Sequence, residues 1–79
     1  LPQAMVNVPG VDKLRAGSDL EIKAAITAAS HALGDSGRVL LRPSGTEPVV
    51  RVMAEAPTQE QAQQICDQLA AVVTERAGL

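Results

Sequence analysis

The sequence contains no phenylalanine, tyrosine or tryptophan, so no side chain can stack on a nucleobase or on the face of a sugar ring. Positive charge is also not in excess. Seven Lys and Arg against nine Asp and Glu leave a formal net charge of −2, and the basic field on which nucleic-acid binders rely is missing. A single cysteine, Cys66, excludes an internal disulfide, and a single histidine, His31, leaves no His/Cys cluster for zinc. No apolar run approaches the ~20 residues that span a bilayer. Neither a nucleic acid nor a membrane is therefore expected as a partner. The chain opens on Leu1 with no charged n-region or apolar h-region of a signal peptide, and it reads as a piece of a longer protein.

What remains is one small domain of 79 residues, 46% hydrophobic and 20% charged. Its core must come from Ala, Val, Leu, Ile and Met. Thirteen of those residues are alanines, so the area buried per residue is modest and stability is expected to be marginal. A larger enzyme around it would supply further burial.

Ala4–Val8 alternates as a short strand and Pro9-Gly10 stops it. Residues 9–17, with two glycines and a proline, read as a connection. Ser18-Asp19-Leu20-Glu21 has the spacing of a capping box, and Ile22, Ile26, Ala29 and Leu33 then recur at helical spacing up to Gly34, the natural stop. After a turn at 34–37, Arg38–Arg42 and Val49–Glu55 are β-rich and flank Pro43–Pro48. A second helix opens at Pro57-Thr58, with Thr58 and Gln61 at capping-box spacing. Its stripe is Ala62, Ile65, Cys66, Leu69 and Val73, and Gly78 follows its end. The order β-α-β-β-α implies an α+β fold, a small antiparallel sheet with two helices packed on one face.

If residues 43–48 form the whole hairpin loop, Arg42 pairs with Val49, Leu41 with Val50, Leu40 with Arg51 and Val39 with Val52. Period two then puts Val39, Leu41, Val50, Val52 and Ala54 under the helices. Arg38, Leu40, Arg42, Val49, Arg51, Met53 and Glu55 lie on the open face, with Arg42 and Arg51 as diagonal neighbours able to reach one ligand.

Arg42-Pro43-Ser44-Gly45-Thr46-Glu47-Pro48 gathers an unusual set of donors. Ser44 and Thr46 carry hydroxyls, and Gly45 lets a ligand approach its backbone amide. Arg42 and Arg51 offer planar forks suited to phosphate. Glu47 opposes a phosphate dianion and is expected to turn aside toward an arginine, loop amides or a ligand hydroxyl. The prolines stiffen both ends of the loop. Ser, Gly, Thr and Pro between strands are also ordinary turn residues, and an arginine on an open face is commonly just solvated. Two arginines on one face beside two hydroxyls tip the balance toward phosphate. No Gly-Lys-Ser/Thr follows and no helix begins there, so this is not a Walker A loop. No general base, nucleophile or metal-ligand set accompanies it, so the site suits binding rather than chemistry. His31, off the apolar stripe, reads as a solvated helix residue, and Cys66 reads as an inert core thiol. Met53 on the open face is available to a neighbouring domain, and Glu60, Asp67 and Glu75 form a solvated helix face.

The loop with its flanks, Arg38-Val-Leu-Leu before it and Val-Val-Arg51-Val-Met after it, resembles the phosphate-binding loop in the last domain of the α-D-phosphohexomutases, and within them the bacterial branch acting on glucosamine phosphates. The specific part of the resemblance covers residues 38–55. It implies that residues 1–79 are the C-terminal phosphate-binding domain of a larger cytoplasmic enzyme interconverting hexose 6- and 1-phosphates. The partners would then be a phosphosugar substrate and the other domains of the same enzyme. Arg42, Ser44, Gly45, Thr46 and Arg51 would hold the substrate's non-reacting phosphate, with Glu47 supporting. The family's phosphoserine segment, its magnesium loop and its sugar-selecting loop match nothing in these residues, so magnesium would be bound outside them and the domain alone would be inert. A hinged last domain would close over the cleft. Mannose or glucose phosphate remains an alternative substrate, and a non-enzymatic module binding a small ligand or a partner through its open face remains an alternative function.

Overall fold

In the computed structural model, which describes all of residues 1–79, three strands and three α-helices follow one another along the chain, with a single 3-10 turn at Gly34–Ser36. Strand β1 is Gln3–Pro9, helix α1 Lys13–Ser18 and helix α2 Leu20–Leu33. Strands β2, Arg38–Pro43, and β3, Val49–Glu55, follow, and helix α3, Gln59–Ala77, ends the chain. The sheet order is β1-β3-β2 with both pairings antiparallel. Alternation decides which face is covered, as the sequence requires: Ala4, Val8, Val39, Val50, Val52 and Ala54 are buried against Ile22, Leu33, Ala62, Cys66, Leu69 and Val73 from the helices. No charged or polar residue is buried.

Helix α1 corrects the reading of residues 9–17 as a plain connection. Asp12 caps it by accepting from the amides of Leu14 and Arg15, and Ala16 turns into the core. A six-residue helix with a glycine inside falls below what periodicity can detect. The fold therefore adds a short helix to the two long ones expected, with Ala16 joining the core. Ser18 is correspondingly not a cap. It ends α1, its hydroxyl donating back to the Leu14 carbonyl, and Asp19 caps α2 by accepting from the amides of Glu21 and Ile22. Thr58 caps α3 through the Gln61 amide at 3.1 Å, as its spacing predicts. Gly34 closes α2 at φ 55°, the left-handed region open to glycine.

The hairpin register also differs from the sequence expectation, by two residues. Arg42 stands opposite Arg51, Leu41 opposite Val52, Leu40 opposite Met53, Val39 opposite Ala54 and Pro43 opposite Val50. The loop is one residue shorter at its start, because Pro43 joins β2 and the Ser44 amide donates to the Val49 carbonyl at 2.8 Å. A shift of two keeps every side chain on its face, so the division into core and open faces stands. The new register brings Arg38 opposite Glu55, with which it forms an ion pair. Gly37 then lies so close to the strand that an added Cβ would stand 2.0 Å from the Glu55 carbonyl oxygen. Only a residue without Cβ lets β2 begin there.

Two outcomes test this packing. Ile22, fully buried, should cost about 2–5 kcal/mol on replacement by alanine, read by denaturant unfolding with an unchanged m-value. The second concerns Asp19, whose side chain is only 7% exposed and pairs with Arg76 on α3 at 3.3 Å. Burial pushes its carboxyl up, but the Ile22 amide, Arg76 and the Glu21 amide outweigh that and hold it below the ordinary 3.8. Its contribution is present above that ordinary value and is lost as pH falls through the lower folded value. Thermal unfolding between pH ~4 and ~2 should therefore lose stability more steeply in the wild type than in Asp19→Asn; parallel curves would exclude the role.

Candidate functional site

The β-sheet pairing builds one row of polar side chains across all three strands. Arg51 on the central β3 has Asn7 of β1 opposite it on one side and Arg42 of β2 on the other. Facing residues in an antiparallel pair stand roughly 4.5–5.5 Å apart at Cα and project to the same side. The two arginines are thus directly opposed across the strands, closer than the diagonal placement expected from the sequence. Neither forms an ion pair; the carboxylates engaged by arginines are Glu55, by Arg38, and Asp19, by Arg76. Arg51 has one protein partner, its Nε donating to Asn7 Oδ1 at 3.3 Å.

Beside this row the loop 44–48 bends over a depression of ≈ 320 Å³ bounded by Asn7, Pro9, Ser44, Glu47, Val49 and Arg51. Of the residues singled out in the sequence, Ser44, Glu47 and Arg51 meet there. Arg42 adjoins it through Arg51, and the exposed Gly45 and Thr46 lie in the same loop without lining it. Ser44 Oγ accepts from the Glu47 amide at 3.5 Å, a long contact that leaves the hydroxyl proton free to donate. The loop also turns through the Val49 amide, which donates to the Glu47 carbonyl at 2.7 Å. Glu47 pairs with no arginine, contrary to one of the roles expected for it. Around Gly45 an added Cβ would meet nothing within 4 Å, and its φ is not positive. Neither the backbone nor any neighbour requires a glycine there, so the open space is available to a ligand.

The loop is tethered from the segment before α1. Lys13 Nζ donates to the Ser44 carbonyl at 2.9 Å, and the Val11 amide donates to the Pro48 carbonyl at 3.1 Å. That segment is itself held by the chain's end: the Asp12 amide donates to Ala77 and the Leu79 amide to Gly10. Both ends of the loop are thereby fixed before any ligand arrives, and a third positive charge stands behind it. Lys13 and Asn7 were not recognised from the sequence, since they lie 31 and 44 residues from their partners. Signals existed: an Asp at a cap position just before Lys13, and an Asn, a poor strand former, between two valines of β1.

The remaining candidates are structural. Cys66 is fully buried, with its Sγ near the Ala4 and Val52 carbonyls. Burial first, then the Asp67 charge, push its thiol up, the opposite of an activated thiolate. His31 is exposed on α2. No three His, Cys, Asp or Glu converge to hold a metal ion. No helix is long and apolar enough to cross a membrane.

Comparison with known proteins identifies the family. The family described as phosphoglucomutase/phosphomannomutase, C-terminal domain, matches residues 5–72. Phosphoglucosamine mutase of Cutibacterium acnes is 66% identical over 73 residues, 92% of this chain and 16% of that protein. That of Bifidobacterium adolescentis is 57% identical over 79 residues, 100% of this chain and 17% of that protein. Among solved structures, Aspergillus fumigatus N-acetylphosphoglucosamine mutase in complex with glucose 1,6-bisphosphate superposes with a TM-score of 0.81 at 28% identity, over 100% of this chain and 16% of that one. The same fungal enzyme in complex with GlcNAc-6P and magnesium gives 0.76 at 27% identity, over 96% of this chain and 16% of that one. The chain spans about one sixth of the length of the curated relatives it matches. An arginine row beside a Ser-Gly-Thr-Glu loop on a three-stranded sheet, together with these matches, places the chain in the family of phosphoglucomutase/phosphomannomutase C-terminal domains.

Proposed function

We propose that residues 1–79 are the C-terminal, phosphate-holding domain of a phosphoglucosamine mutase, which converts glucosamine 6-phosphate to glucosamine 1-phosphate as an amino-sugar precursor of cell wall. The observation that carries the reading is the direct opposition of Arg42 and Arg51 on the open face, with no carboxylate paired to either. Like charges directly opposite each other destabilise a sheet. A phosphate dianion set between two planar forks removes that cost and gains charge-assisted hydrogen bonds. Ser44, Thr46 and the backbone amide at Gly45 add donors from the loop, and Glu47 stands ready to accept from a sugar hydroxyl. The choice of glucosamine rather than mannose or glucose phosphate rests on the names of the relatives.

The group held here is the substrate's distal phosphate. Nothing in the domain attacks it, so its role is to spend remote binding energy on positioning the sugar and on drawing the domain over the cleft. The phosphoserine, the magnesium ion and the sugar-selecting groups belong to other parts of the cytoplasmic enzyme, and the isolated domain is expected to be inactive. Magnesium would supply charge stabilisation at the reacting phosphate there, away from these residues.

The test uses the whole polypeptide. Arg42→Lys and Arg51→Lys each keep the charge but lose the fork, and each should raise KM about tenfold and also lower kcat; unchanged kinetics in both would remove the pair from the site. Gly45→Ala separates binding from folding. It should leave the unfolding temperature unchanged, since an added methyl meets no protein atom, while raising KM severalfold. An unchanged KM would show that no ligand approaches the loop at that point.

A further inference from the structure

The third member of the row, Asn7, sits where neither strand-forming tendency nor packing accounts for it. It lies on the open face of β1 between Val6 and Val8, exposed, opposite Arg51. Its carboxamide has one protein partner: Oδ1 accepts from Arg51 Nε. That contact has two consequences. It occupies one of the five N–H donors of the guanidinium, the one on its inner edge, and leaves the two terminal nitrogens as an end-on fork. It also fixes which end of the carboxamide faces the arginine, so the Nδ2 amino group, with two donors and no protein acceptor, is the end left to a ligand. Asn7 and Arg51 line the depression together with Ser44.

Charge makes the residue type informative. An aspartate opposite Arg51 would be a natural cross-strand partner, but it would neutralise the arginine and repel a dianion. An asparagine holds the same Nε, leaves the positive charge whole and adds neutral donors. We propose that Asn7 is a direct ligand of the substrate phosphate, its Nδ2 donating to a phosphate oxygen while its Oδ1 orients the Arg51 fork. The cradle is then completed from β1 as well as from the hairpin, and all three strands contribute one side chain to it. This rests on the phosphate reading given above and extends it to a residue 35 positions before Arg42 in the chain.

Asn7→Asp and Asn7→Ala in the whole polypeptide distinguish the two parts of the role. Aspartate keeps the acceptor for Arg51 Nε, removes both donors and sets a negative charge at the phosphate. Alanine removes acceptor and donors without adding charge. As a phosphate ligand, Asn7 predicts that Asn7→Asp raises KM for glucosamine 6-phosphate by more than about tenfold and more than Asn7→Ala does, with unfolding temperatures within a few degrees of wild type. The reverse order, with Asn7→Asp near wild type and Asn7→Ala impaired, would show that Asn7 only orients Arg51 and would overturn the proposal. So would an unchanged KM in Asn7→Ala, which keeps the test decisive if the aspartate variant does not fold. Arg51→Lys, measured alongside, tells the two failures apart. If it impairs KM while the Asn7 variants do not, only the Asn7 assignment falls. If it and Arg42→Lys are both silent too, the phosphate reading falls with it.

Discussion

Two arginines set face to face in a sheet, neither given a carboxylate, are the constraint from which the rest of the site follows. In the free protein the arrangement costs energy, because like charges on directly opposed positions repel. The strands accept that cost because their other faces carry Val39, Val50, Val52 and Ala54 into the core, and burial of this kind outweighs one unfavourable surface pair. An anion placed between the forks turns repulsion into attraction. The core thus holds in place, without ligand, a charge arrangement that only a ligand relieves.

Where Arg42 and Arg51 meet is decided by features some distance from them. The Arg38–Glu55 pair at the far end of the hairpin, the closing contact from the Ser44 amide to Val49, and Gly37 pressed against the Glu55 carbonyl all favour the same register. A slip of β2 by one residue would turn Arg42 into the core and leave Arg51 alone on the open face. A slip of two would keep them on the open face but diagonal to each other, with the cross-strand distance lengthened to roughly 7–8 Å. The loop is secured separately, by Lys13 on the Ser44 carbonyl and the Val11 amide on Pro48. Because the segment bearing these contacts is held by the end of α3, the loop's geometry depends on the whole domain. A ligand therefore meets a loop whose ordering cost is already met.

What the sequence makes legible is what local periodicity governs. Alternating valines mark the strands and their buried face, the stripes from Ile22 to Leu33 and from Ala62 to Val73 mark the long helices, and Gly34 and Gly78 mark where these end. The loop and both arginines are legible too, because they lie within ten residues of one another and share one face. The register is not, since pairings two residues apart satisfy the same period-two pattern. Helix α1 escapes because Gly17 interrupts it and only Ala16 of its residues is buried. Lys13 and Asn7 escape for a different reason: nothing local ties an asparagine in the first strand to an arginine 44 residues later, and only the sheet order β1-β3-β2 makes them neighbours.

The most direct measurement is a crystal structure of the whole polypeptide with glucosamine 6-phosphate or its 1-phosphate isomer bound. The account predicts one phosphate group between Arg42 and Arg51, with guanidinium nitrogens of both at about 2.7–2.9 Å from its oxygens and the loop at 44–47 closed on it. A bound substrate whose phosphates both lie elsewhere, with the two arginines left in solvent or paired to carboxylates of other domains, would contradict it.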